Sequence, residues 1–237
     1  MRNAMEITRS DAEKDLGNSV LVMPVGSLEQ HGPHLPLGTD CYIAEALAIR
    51  VCEAIPDAIL LPLLPFGYSW VWKDIPLTVS LREKTVEQIL KELALSVYRF
   101  NPKALVVING HLANESALKY AARDLADDVP LRFFYFSLPE IAKFRMDSRP
   151  SELTIHAEEI ETSLMLAIKP ELVKMSLAKP EYPEKPSSYG VTALSLGKLS
   201  KSGVFGNPSV ATREKGEEYL EIMTKFIISV LEDEKVI

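Results

Sequence analysis

The chain has 237 residues, a formal net charge of −7 and no cluster of five or more Lys/Arg, so it offers no positive field for nucleic acid. Its 47% hydrophobic share is that of a folded protein rather than a disordered one, and no apolar run approaches the ~20 residues a membrane helix needs. The start, MRNAMEITRSDAEKD, has no apolar core of a secretory signal, so a single domain over 1–237 in the cytoplasm is expected, with neither nucleic acid nor membrane as partner.

The first predicted strand is SVLVMPVG (19–26), followed by a Gly/Pro-rich loop and an amphipathic helix over 39–55. A second strand, AILLPLLPF (58–66), precedes a loop, FGYSWVWK, and a helix over 85–100. A third strand, ALVVING (104–110), leads into a helix over 114–128, and LRFFYFS (131–137) reads as a fourth strand. Helices are predicted over 157–168 and 213–234. The stretch between them, 169–208, holds five prolines and reads as a long ordered excursion with turn chemistry near a site. Alternating strands and helices imply an α/β fold, a three-layer sandwich with a mostly parallel central sheet flanked by helices. Cys41 and Cys52 lie about three turns apart on one helix and are expected to be free buried thiols.

In such a sheet, ligands bind beyond the carboxyl ends of the strands. All four histidines fall in loops of that kind or just before a helix: His31 and His34 after the first strand, His111 after the third, and His156 before AEEIETS. Glu29 and His31, two residues apart, point the same way in an extended segment. Asp40 follows at the start of a helix, where a carboxylate can bridge two cations or simply cap the helix. Carboxylates and imidazoles without thiolates suit Zn²⁺, Mn²⁺ or Fe²⁺. Glu161, one turn into its helix, needs a cation or a donor: as a metal ligand, as a partner of a metal-bound His, or in a salt bridge to an interior Arg. Glu158 and Glu159 are placed to serve the helix N-terminus, and His34, between prolines, to lock its loop.

Taken together, GSLEQHGPHLPLGTD, NGH followed by Asn114, HAEEIETSLML and GVFGNPSVATREKGE resemble the creatininase (creatinine amidohydrolase) family over about residues 17–225. The resemblance implies an α/β fold, a binuclear metal site and a homohexamer arranged as a trimer of dimers. It also implies hydrolysis of C–N bonds in cyclic amides or formamides, with relatives that deformylate a pyrimidine intermediate of flavin and deazaflavin biosynthesis or cleave a modified peptide. By that likeness Glu29, Asp40 and His111 match the first metal site, His31 and Asp40 the second, His156 a proton-transfer histidine and Glu161 an active-site acid. Two positions depart from the family pattern. Where it has a second-metal glutamate this chain has Ala113, which makes Glu161 the candidate replacement; and where it has a Trp-Asp pair before the His156 position this chain reads SELTIH, which argues against creatinine itself.

The expectation is a hydrolase with two divalent ions per subunit, Zn foremost, acting on a small-molecule amide. Catalysis falls to His156 and Glu161, with Tyr68, Ser69, Trp70 and neighbouring Trp72 as pocket wall. Two alternatives stand beside it. A formamide deformylase on a pyrimidine nucleotide would need a phosphate pocket, for which Lys73, Arg82, Lys198 and Lys201 are the available cations. A non-catalytic metal-binding scaffold would show closed coordination.

Overall fold

A computed structural model of the chain describes residues 2–138, 156–184 and 186–237. Five strands, β1 (Arg2–Asn3), β2 (Val20–Val25), β3 (Ile59–Leu60), β4 (Ala104–Asn109) and β5 (Phe133–Ser137), form one sheet in the order β1-β3-β2-β4-β5. Every pairing is parallel. The helices are α1 (Arg9–Asp15), α2 (Thr39–Ala54), α3 (Glu83–Tyr98), α4 (Glu115–Asp128), α5 (Glu159–Ile168) and α6 (Arg213–Asp233).

β2 and β4 are buried at every position, as their unbroken apolar sequences require of strands covered on both faces. Alternate side chains then divide between two cores. Val20, Val22, Val106 and Ile108 pack with Leu47 of α2, Leu164 of α5 and Met223 of α6. Leu21, Met23, Leu105 and Val107 face the other way, against Leu90 of α3 and Leu118 of α4. Helices thus cover both faces, giving the three-layer α/β arrangement that the sequence predicts.

The predicted strand over 58–66 is shortened to Ile59–Leu60, because Pro62 and Pro65 have no N–H to give the ladder. Contact with the sheet persists only through a bridge between Val25 and Leu64. β1 and α1 were not expected. β1 is too short to leave a periodic signal, whereas α1 is announced by a capping box in which Thr8 and Asp11 bond each other's backbone N–H. The excursion over 169–208 is tied down by short 3₁₀ turns and by bridges from Phe205 to His156 and from Gly206 to Glu181. Both cysteines are free and buried. Among the described residues, no helix is long and apolar enough to cross a membrane. The segment SELT, where the Trp-Asp pair is missing, lies outside the described residues.

From β2 the chain crosses by α2 to β3 on one side, and from β4 by α4 to β5 on the other. The direction therefore reverses between β2 and β4, and the loops leaving those two strands open a crevice at their carboxyl ends. The first turn of α2 closes down on this point because residue 110 is glycine: a Cβ there would lie 2.2 Å from the Asp40 carbonyl oxygen. Gly110→Ala is expected to push α2 away from β4 and destabilise the fold by about 3 kcal/mol, the upper range for overpacking. An unchanged urea midpoint would show that α2 is not held this closely.

Candidate metal centre and active site

Six side chains converge in the crevice. The loop after β2 supplies Glu29 and His31, the first turn of α2 supplies Asp40, and the end of β4 supplies His111. His156 and Glu161 come from the entry to α5. All are buried except Glu161, whose side chain is 16% exposed.

The imidazoles share one pattern. His111 Nε2 lies 3.0 Å from the Tyr68 carbonyl oxygen, His31 Nδ1 3.2 Å from that of Glu29, and His156 Nε2 2.7 Å from that of Gln30. A carbonyl only accepts, so each of these nitrogens carries a proton and donates. The other nitrogen of each ring is turned on carboxylates. His111 Nδ1 is 2.9 Å from Asp40 Oδ2 and 3.5 Å from Glu29 Oε1. His31 Nε2 is 3.0 Å from Asp40 Oδ1 and 3.8 Å from Glu161 Oε2. His156 Nδ1 is 3.7 Å from Glu29 Oε1. Lone pairs facing lone pairs in a buried site repel unless something positive lies between them.

Where no metal is bound, protons meet that need. Burial works against a charge on His31, but Asp40, Glu161 and Glu29 outweigh it and push the imidazole up to about 10. His111 rises to about 9, with Glu29 and Asp40 overcoming burial. Burial alone would raise Asp40, yet His31 and His111 hold it below the usual carboxylate range. Burial raises Glu29 and brings Glu161 up to about 7. His156 goes the other way: burial and the charge on His31 keep it neutral.

The geometry also suits cations. Three sets each bring their ligand atoms within 4.8 Å of one another: Glu29, Asp40 and His111; His31, Asp40 and Glu161; and Glu29, His31 and His156. Asp40 gives Oδ1 towards one imidazole and Oδ2 towards another, the disposition of a bridging ligand. Glu29 Oε2 and Asp40 Oδ2 are buried without a satisfying hydrogen bond, although Asp40 Oδ2 lies 2.9 Å from His111 Nδ1. Orphaned carboxylate oxygens beside carbonyl-oriented imidazoles fit a divalent metal. This places Asp40 in the site itself rather than as a helix cap; Gly38 precedes α2 without a side-chain cap.

The remaining predicted residues distribute as follows. Glu158 caps α5 by accepting from the Ile160 and Glu161 N–H groups, while Glu159 meets Lys215 and the Tyr219 hydroxyl. His34 Nε2 lies 3.0 Å from Thr162 Oγ1 and the His34 carbonyl accepts from Lys174, so this residue ties its loop to α5 and the following turn. Ala157 takes a φ of 51°, a conformation costing about 1 kcal/mol for a residue with a Cβ. The turn it makes brings its own N–H 2.6 Å from Glu161 Oε2.

Beside the six lies a cavity of about 230 Å³, walled by Val71, Trp72, Leu112, Ala113, Tyr189 and Leu196. The predicted wall of Tyr68, Ser69 and Trp70 is displaced along its segment. Tyr68 offers His111 its carbonyl while its ring packs on the core under α3 and α4, and Ser69 is buried behind His111 against Ser27. Trp70 lies under the Lys73 ammonium, 4.6 Å from its ring centroid. A 3₁₀ turn at Trp70–Trp72 rotates Trp72 inward, where it stacks on His156 at 4.6 Å. Sequence reasoning missed Val71, Tyr189, Leu196 and Gln30; only the position of Gln30 between two ligands offered a signal.

Fold and site together define an α/β protein with a buried carboxylate–imidazole cluster suited to divalent metal. A family model described as creatininase, creatinine amidohydrolase, matches residues 5–231, and the chain belongs to that family. It is 28% identical to creatinine amidohydrolase of Pseudomonas putida, over 94% of this chain and 93% of that one. It is 35% identical to the mycofactocin precursor peptide peptidase of Mycolicibacterium smegmatis, over 84% of this chain and 78% of the other. A crystal structure of creatinine amidohydrolase superposes with a TM-score of 0.84 at 28% identity, covering 98% of this chain and 97% of that one.

Because the carboxylates raise His31 and His111 well above neutrality, adding Zn²⁺ to metal-free protein near pH 8 should expel the protons on their ligand nitrogens, up to one from each. Affinity should weaken as pH falls. An indicator dye in weak buffer reads the release; zinc uptake with no acidification would mean the ions bind elsewhere.

Proposed function

We propose that this amidohydrolase cleaves a non-peptide C–N bond of a small uncharged or cationic amide, a cyclic amide foremost, at a pair of divalent ions. The observation that carries this reading is the pattern at the crevice: three imidazoles, each oriented by a backbone carbonyl and turned on shared carboxylates, beside a cavity large enough for a small molecule. In the proposed assignment Glu29, Asp40 and His111 hold one ion, and His31, Asp40 and Glu161 hold the other. Glu161 thereby replaces the ligand absent at Ala113. Zn²⁺ is the preferred ion, with Mn²⁺ or Fe²⁺ compatible with the same nitrogen and oxygen donors. Creatininases of a Zn-Zn type and with Mn are among the similar solved structures.

Bound divalent metal lowers the pKa of its water from 15.7 towards ~7 and polarises a carbonyl. The chain's own residues would do the rest. His156 stays neutral, and since its Nε2–H is held by the Gln30 carbonyl, Nδ1 is the atom free to take a proton and return it to the departing nitrogen. Trp72, stacked on the ring, prevents it from turning and keeps bulk water off that face. Glu161 is brought up to about 7 only while no ion is bound; as a ligand it would stay a carboxylate, so the proton transfer falls to His156.

The cavity wall separates the rival substrates. Among the described residues lining it there is no Lys or Arg, and Lys73, Arg82, Lys198 and Lys201 all lie outside the lining. Apart from the ions themselves, no described side chain of the lining is placed to hold the phosphate of a pyrimidine nucleotide, so the deformylase reading stands second. Open space beside the ligands disfavours a closed structural metal site. For assembly, the resemblance supports a homohexamer, and the exposed Phe66, Leu77 and Val79 offer apolar surface for subunit contact.

Elemental analysis of purified protein should give two metals per chain, falling to about one in Glu161→Ala, with hydrolysis of a responsive cyclic amide reduced by at least ~10²-fold. One ion or none, unchanged by the substitution and not restored by added Zn²⁺, Mn²⁺ or Fe²⁺, would overturn the paired-ion assignment.

A further inference from the structure

Gln30 lies between two proposed metal ligands yet touches neither cluster through its side chain. Its amide instead reaches across the crevice. Nε2 donates to the Gly203 carbonyl at 3.1 Å, while Oε1 accepts from Gly32 N–H at 2.9 Å. The fit is flush: Gly203 sits at φ 86°, and a Cβ there would fall 1.9 Å from Gln30 Oε1. Two residues on, Phe205 N–H donates to the His156 carbonyl at 2.9 Å. His156 Nε2 then donates to the Gln30 carbonyl at 2.7 Å, closing a ring of hydrogen bonds through residues 30, 203, 205 and 156.

Each member of the ring is also fixed from outside, Gln30 through its backbone N–H, which donates to Thr78 Oγ1 at 3.2 Å. The 200–203 turn is gripped by the Glu181 carboxylate, which accepts from the Lys201 and Ser202 N–H groups, and Gly206 exchanges two backbone bonds with Glu181. Trp72 stacks on His156 and meets Phe205 edge-on at 5.9 Å. Besides the His156 bond itself, the Gln30 amide is, among the described residues, the side-chain bond that joins this assembly to the residue whose carbonyl faces His156. We propose that Gln30 is a positioning residue: by bolting its own peptide to Gly203, it decides that His156 carries its proton on Nε2 and presents a bare Nδ1 to the crevice.

The distances favour this tautomer. A proton on Nε2 meets an acceptor at 2.7 Å, whereas one on Nδ1 would face Glu29 Oε1 at 3.7 Å, beyond hydrogen-bond range. Only an amide serves both ends of the clamp, because a carboxylate offers two acceptors and a thioether none that is strong. The functional weight of the inference rests on His156 as the proton carrier proposed above; the tautomer itself does not.

With four histidines, ¹⁵N-histidine labelling of the full zinc-loaded chain gives a spectrum that single substitutions can assign. In the unsubstituted protein, His156 should show a protonated, exchange-protected Nε2 and an unprotonated Nδ1. In Gln30→Met and Gln30→Glu that protection should be lost and the two nitrogen shifts should move towards each other, while zinc per chain stays constant. A protonated Nδ1 in the unsubstituted protein overturns the proposal even if neither variant folds. So do unchanged His156 shifts in folded variants, or a fall in zinc content, which would mean that Gln30 acts through Glu29 and His31. Failure of the amidohydrolase reading would leave these spectra unaltered, so the two ideas fail separately.

Discussion

A buried carboxylate must be answered by a donor, a proton or a cation, and the rest of this structure is arranged around that requirement. Glu29 and Asp40 are sealed at the end of the sheet with oxygens that no hydrogen bond satisfies. Three imidazoles surround them, and each is already committed on its outer nitrogen to a backbone carbonyl. What remains is a concentration of inward-facing lone pairs, tolerable only with positive charge at the centre. The histidines therefore act as oriented donors to that charge, and the carbonyls behind them set the orientation.

The scaffold's contribution is close approach. β2 and β4 are buried at every position, so their loops emerge side by side where strand order reverses, and the missing side chain at Gly110 lets α2 descend until Asp40 spans two imidazoles. α5 packs on α2 and α6 and delivers His156 and Glu161 from the opposite wall. A kinked entry at Ala157 turns both inward, so local backbone cost is exchanged for a second row of functional groups.

Much of this could be read in the sequence because its signals are local. Unbroken apolar runs marked β2, β4 and most of β5, and a 3.6-residue period marked α2 to α6 to within a few residues. Histidines restricted to loops and helix entries marked the site. What escaped depends on contacts between distant segments. Trp72 was expected at the cavity and lies there, but the 3₁₀ turn that rotates it inward was not legible, so Tyr68, Ser69 and Trp70 were expected beside it. Tyr189 and Leu196 come from an excursion with no periodicity to place it. Gln30 reads as an ordinary loop polar residue until Gly203, 173 positions later, is seen against it. The proline-interrupted third strand shows the opposite error, in which an apolar run suggested more ladder than its N–H groups can make.

The distribution of ligands along the chain has a bearing on the order of assembly. The first cluster draws on residues 29, 40 and 111, all within the N-terminal half, and needs only β2, β4 and the first turn of α2 in place. The second takes Glu161 from α5, and the ring around His156 is closed only by residues 203 to 205. During synthesis, a nascent chain holds every side chain of the first cluster well before it holds Glu161. Asp40, common to both clusters, meets Glu29, His31 and His111 before the last third of the protein supplies Glu161, so groups that are neighbours in space are far apart in the order of their appearance.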